Sequence, residues 1–95
     1  MINKFDISDF VDVLTKEKAV KQLIERFKKR REALGYSQKE LSKRSGVSYG
    51  SIRRFESIGE VSLTSLLKLA DAMDCLTDFN TIFSNPVVKN IRDVK

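Results

Sequence analysis

Residues 37–56 read SQKELSKRSGVSYGSIRRFE, and their spacing predicts two short helices joined by a tight turn. Ser37 opens the first helix, because a serine oxygen accepts from the unpaired N–H groups of a first turn. Glu40, three residues on, is placed to reach back to the Ser37 N–H. Leu41 is the apolar anchor of this helix, and Ser42 is small enough for another helix to approach closely. Gly46 follows Lys43-Arg44-Ser45 and suits the left-handed position that stops a helix. Val47 is apolar and can plug the turn, and Ser48 is a second N-cap. Ile52 and Phe55 lie three apart and share one face of the second helix. Tyr49, Gly50, Ser51, Arg53 and Arg54 fall on its remaining surface, which is small, polar and basic.

Upstream, a helix is expected from Lys16 to Leu34, with Thr15 as N-cap and Glu17 near its positive end. Val20, Leu23, Ile24, Phe27 and Leu34 form its apolar stripe, and Gly35 is its stop. The run Lys28-Lys29-Arg30-Arg31 resembles a grip for phosphates, but four consecutive residues point around a helix rather than to one face. At least one must point inward, and Arg31, one turn before Gly35 beside the apolar seam, is assigned that place. Downstream, Ser57 to Val61 is a loop turning at Gly59, and Ser62 caps a helix from Leu63 to Asp74. Leu66, Leu67, Ala70 and Met73 make the core stripe of that helix, broadened by Leu63 and Leu69. A fifth short helix is expected from Thr77 to Phe83. Leu76, Phe79, Ile82 and Phe83 are many apolar residues for the end of so small a domain. They fit either core packing or an interface between copies. Residues 16–84 thus form the domain, flanked by an arm (1–15) and a tail (85–95). The arm carries Ile7, Phe10, Val11 and Leu14 at amphipathic helical spacing. The tail contains the sole proline, Pro86, and the apolar Val87, Val88, Ile91 and Val94.

Ninety-five residues make one small domain with one core. At 41% hydrophobic and 33% charged the chain is neither membrane-spanning nor of disordered composition. The opening MINKFDISDF lacks signal-peptide character, and a single cysteine, Cys75, rules out an internal disulfide; both fit a reducing cytoplasm. With no histidine in the chain, Cys75 has no imidazole to activate it, so an enzyme, a metal centre or a cofactor is not expected. Asp71 and Asp74, one turn apart, read as a solvated face. The net charge is +5, unevenly spread: Lys16 to Arg54 holds 13 Lys/Arg against 4 Glu, and the rest is net acidic. The basic half contains the paired helices, which is the electrostatic footprint of a nucleic-acid binder.

The pattern formed by Gln38, Leu41, Gly46, Val47, Ser48, Ile52 and Glu56 resembles the helix-turn-helix of the Cro/C1-type (XRE) DNA-binding family, over roughly Val20 to Phe83. The resemblance implies an all-α, five-helix, lambda repressor-like domain. Ser42 stands where alanine is usual, Phe55 is bulkier than average, and Tyr49 and Gly50 replace glutamines that some members use to read bases. It also implies that Arg31, four residues before Gly35, pairs with Glu56, which closes the second helix of the motif. Gln38 resembles the family glutamine that bonds a phosphate and braces the recognition helix. Dimers of the family commonly associate through the region of Leu76, Phe79, Ile82 and Phe83.

Position on a helix that enters the major groove then assigns roles. Tyr49, Gly50 and Arg54 are expected to face bases, with Arg54 able to fork onto guanine O6 and N7. Gln38, Ser48, Ser51, Arg53, Lys39 and Lys43 are expected at phosphates, which position the protein without reading sequence. One such helix gives little affinity, so a homodimer on a palindromic operator in double-stranded DNA is expected, acting as a repressor in the cytoplasm and on the nucleoid. A second reading stands beside it. SGVSYGSIRRFE, SIGEVS, LTSLLKLADAM and LTDFNTIF together resemble regulators that accompany HipA-like kinase toxins. That resemblance implies an antitoxin that binds a toxin protein and controls its own operon.

Overall fold

The computed structural model describes residues 13–88. Helix α1 spans Lys16–Ala33, α2 Gln38–Ser45, α3 Tyr49–Ile58 and α4 Leu63–Ala72, followed by a 3-10 helix at Leu76–Thr81. The domain is all-α, and no helix among the described residues is long and apolar enough to cross a membrane.

Each α-helix begins in the same way. Thr15, Ser37, Ser48 and Ser62 hold extended backbone, and each hydroxyl accepts from the N–H three residues on, at 3.0–3.1 Å. These bonds satisfy donors that no intrahelical carbonyl can reach. Glu40 does not complete the reciprocal half of a capping box. Its Oε2 accepts from Arg44 Nε one turn later at 2.9 Å, an i, i+4 pair that competes with the reach back to Ser37.

Helices α1, α2 and α3 end at Gly35, Gly46 and Gly59, all at φ of +77 to +78°. Helix α4 has no glycine there; Asp74 takes the left-handed position at φ +60°. Arg30 of α1 supports this end. Its Nε donates to the Met73 carbonyl at 2.8 Å and its Nη2 to the Asp74 carbonyl at 3.0 Å. A guanidinium at a helix C-terminus satisfies orphan carbonyls and complements the dipole. The basic run of α1 therefore has separate destinations: Arg30 to α4, and Arg31 inward, buried.

The core is drawn from all four α-helices, with Phe79 of the 3-10 helix packed against it. Phe27 of α1 meets Phe55 of α3 edge-to-face, with centroids 4.9 Å apart. Leu41, Ile52 and Leu69 are fully buried, with Val47, Ala70, Met73 and Cys75 completing the cluster. The α1 stripe is narrower than the sequence suggests. Ile24 and Phe27 carry it, while Val20, Leu23 and Leu34 remain about two-fifths exposed. In α4 the centre of the buried face is Leu69, not an edge position, and Leu63 lies out in solvent. Leu66, Leu69, Ala70 and Met73 are the i, i+3, i+4, i+7 set that one helix face can bury.

The expected fifth short helix is present as a 3-10 helix, over Leu76–Thr81 rather than Thr77 to Phe83. No side chain caps it, and its polar residues bond the local backbone instead: Thr81 Oγ1 donates to the Asp78 carbonyl and Ser84 Oγ to the Thr81 carbonyl. Such competition disfavours a continued α-helix. Phe83 then turns left-handed, at φ +65°, and is wholly exposed. Of the tail, Val87 and Val88 are exposed. The amphipathic set Ile7, Phe10 and Val11 of the arm, and Ile91 and Val94 of the tail, lie outside the described residues.

Gly59 closes α3 under two constraints. A Cβ there would sit in the left-handed region and would also overlap Val20 Cγ1 of α1, whereas a Cβ on Gly46 meets open space at the same φ. Gly46→Ala should therefore carry the backbone penalty alone, about 1–2 kcal/mol. Gly59→Ala should cost about 1–3 kcal/mol more through overpacking. Thermal melts of the two variants, compared with wild type by circular dichroism, check this ordering.

Candidate nucleic-acid interface

The turn between α2 and α3 is fixed from both sides. Ser42 Oγ donates to the Val47 carbonyl at 2.6 Å, Ser45 Oγ accepts from Val47 N–H at 3.0 Å, and the Gly46 N–H donates to the Ser42 carbonyl at 2.9 Å. Val47 is buried beneath the turn. The serine that stands in place of alanine is thus a donor as well as a small residue.

A buried carboxylate sets the orientation of α3. Glu56, whose side chain is 5% exposed, accepts three N–H groups. Arg31 Nε donates to Oε2 at 2.8 Å, Arg31 Nη2 to Oε1 at 3.0 Å, and Gln38 Nε2 to Oε1 at 2.9 Å. Arg31 Nη1 also donates to the Tyr36 carbonyl at 2.8 Å. One carboxylate therefore ties α1, through Arg31, and α2, through Gln38, to α3. Gln38 spends one amide hydrogen on this brace and keeps a second for another acceptor.

With Ile52 and Phe55 held inward, α3 presents its other face to solvent. Tyr49 lies at its first position, partly exposed, with two cations near its ring. Lys39 Nζ is 5.4 Å from the centroid and Arg53 Cζ is 5.5 Å away. Both lie within the range of attraction to an aromatic face. Around Gly50 there is open space where a side chain would stand, so no neighbour in the domain requires glycine. Ser48 and Ser51 bond each other, Ser48 Oγ donating to Ser51 Oγ at 2.8 Å, in addition to the cap. Lys43 and Arg44 occupy the last turn of α2, with Arg44 stacked on the Tyr36 ring at 4.4 Å. Gln38, Gly50, Arg53 and Arg54 line an open recess together with Lys28 of α1 and Ser57.

Arg54 is not isolated on this face. Its Nη2 and Nε donate to Oε1 of Glu60 at 2.6 and 3.1 Å. Glu60 carries no local signal in the sequence, because it lies beyond Gly59 and outside helical spacing. Lys28 was equally hidden within a run of four cations.

Leu76, Ile82 and Phe83 are 44%, 50% and 100% exposed, and Phe79 packs partly on the core. Cys75 is buried, and desolvation pushes its thiol up from the ordinary value, against the opposing pull of Arg30. A thiol so placed is held away from the thiolate form that nucleophilic chemistry requires.

Compared with known proteins, a family model described as helix-turn-helix matches residues 27–79, more than half of the chain. No curated protein and no solved structure gives a match.

The triple bond set on Glu56 makes a direct prediction. Glu56→Ala leaves Arg31 buried without its partner and should lower stability by about 3–5 kcal/mol. Replacing both ions with apolar groups, Arg31→Met with Glu56→Leu, should restore much of the loss. Urea unfolding of the wild type and both variants gives the comparison.

Proposed function

This chain belongs to the Cro/C1-type helix-turn-helix family, which makes it a DNA-binding transcription regulator, and we propose that it reads a palindromic operator as a homodimeric repressor through α3. The observation that carries this reading is the partition of α3 enforced by Glu56. Its apolar face is locked onto α1 and α2, and Tyr49, Gly50 and Arg54 stand outward, with open space at Gly50 in the first turn. A recognition helix contacts base edges with its N-terminal residues. Arg54 supplies a fork for guanine, Tyr49 a hydroxyl and a ring, and Gly50 room for close approach. Gln38, Ser48, Ser51, Arg53, Lys39 and Lys43 surround this face and serve the phosphates. The domain is a binding module rather than an enzyme.

Two copies related by a two-fold axis would place their recognition helices about one helical turn of DNA apart, roughly 34 Å. The exposed Leu76, Ile82 and Phe83, with Phe79 behind them, supply an apolar surface for that association. The same surface, continued by exposed Val87 and Val88, favours the antitoxin reading if a toxin protein rather than a second copy covers it. The mass of the purified chain in solution separates the two: a dimer supports self-association, a monomer the heterologous partner.

Binding to the DNA upstream of its own gene, against a scrambled competitor and across a salt series, tests the regulator. A preference of about 10³-fold or more, with affinity falling as salt rises, is the expected result. Arg54→Ala should keep the fold and lose about 1–3 kcal/mol of discrimination at one guanine position. Binding to operators mutated one base pair at a time measures it.

A further inference from the structure

Arg54 and Glu60 are both about three-fifths exposed, and both guanidinium bonds run to a single carboxylate oxygen. The Nε edge of Arg54 is therefore occupied, and the Nη1 edge carries no bond to Glu60. Glu60 is the first residue past the left-handed Gly59, whose backbone conformation and close approach to Val20 fix where the loop leaves α3. The carboxylate thus stands beyond the C-terminal end of the recognition helix. It is the one acidic side chain bonded to a residue of the outward face of α3 among the described residues.

We propose that Glu60 is a specificity-determining and positioning residue, which holds Arg54 by its Nε edge and cancels its charge toward phosphates until guanine O6 and N7 engage the opposite edge. This rests on the regulator reading above. An unpaired arginine on a recognition face binds any phosphate within reach, which raises affinity for all DNA and discriminates nothing. A paired one adds little to non-specific binding. An exposed pair is weak enough for a well-placed base edge to work alongside it or replace it. Glu60 therefore trades affinity for selectivity, a repulsive element of the kind specificity often needs.

The test compares wild type, Glu60→Gln, Arg54→Ala and the double variant, all as full-length chains with matched circular dichroism spectra. The probes are a labelled duplex of scrambled sequence, across a salt series, and the duplex that wild type enriches from a randomised pool. Glu60→Gln is expected to bind the scrambled duplex about two- to fivefold more tightly, the range an exposed pair supplies. Its salt slope is expected to steepen by about one, as one more cation reaches phosphate. Its preference for the enriched duplex should fall in proportion. In the Arg54→Ala background the Glu60→Gln change is expected to have no effect. Glu60→Gln binding and salt slope equal to wild type would overturn the proposal. So would an effect that persists undiminished without Arg54, since Glu60 would then be repelling phosphates by itself. A wild-type chain that enriches no sequence overturns the regulator reading and this proposal with it. Enrichment by wild type together with an inert Glu60→Gln overturns the role of Glu60 alone.

Discussion

The Glu56 carboxylate is nearly excluded from water, and three N–H donors from two other helices compensate its desolvation. The arrangement is worth more as a constraint than as a source of net stability, because desolvating the ions offsets much of their attraction. Its directional bonds have one solution. Arg31 must lie flat against Glu56 while reaching the Tyr36 carbonyl, and Gln38 must begin α2 within reach of the same oxygen. Apolar contacts between Phe27 and Phe55 would tolerate a small rotation of α3. The bonds to Glu56 would not. The outward face of α3 inherits its aim from this buried cluster, and α2 and the turn are held in the same frame.

The positive half of the chain is accordingly less uniform than its charge count implies. Arg30 and Arg31 belong to the interior framework, one on the end of α4 and one on Glu56. Arg44 is drawn to Glu40 and the Tyr36 ring. Lys39 and Arg53 flank Tyr49 from two helices, so the ring and both cations are partly ordered before any nucleic acid arrives. Ordering that precedes binding does not have to be supplied by binding. The exposed pairs are individually weak, so rearranging them on a phosphate backbone costs little.

Much of this was legible in the residues. The four hydroxyl caps, the three glycine stops and the inward Ile52 and Phe55 are local signals, each set by a spacing of three or four or by a conformation only glycine adopts readily. The inward turn of Arg31 followed from its register, and its partner Glu56 from family resemblance. What escaped notice depends on contacts far apart in sequence or off the helical period. Arg30 reaches the Met73 and Asp74 carbonyls just past α4, forty-three and forty-four residues away. Glu60 meets Arg54 across a chain reversal. Val20 and Leu23 have the right spacing for burial, yet among the described residues they are only partly covered. The fifth helix is present but begins one residue earlier, ends at Thr81 and is 3-10, for a local reason that periodicity ignores: the Thr81 and Ser84 hydroxyls bond the backbone at its end.

The early end of this helix shapes the surface. An α-helix continued through Ile82 and Phe83 would have turned part of its apolar face toward the core. A 3-10 helix ending at Thr81, followed by a left-handed Phe83, leaves both side chains in water. A bulky residue at positive φ is costly by itself. An exposed phenylalanine forgoes hydrophobic stabilisation of about 25 cal/mol for each Å² left uncovered. Neither cost is offset within the described residues, and in the dimer proposed above burial against the second copy would recover that free energy. The same step would double the phosphate contacts and set the spacing of the two recognition helices. In the homodimer proposed above, this apolar end, uncovered among the described residues, would give each α3 a route to the second half-site that its own short basic face does not provide.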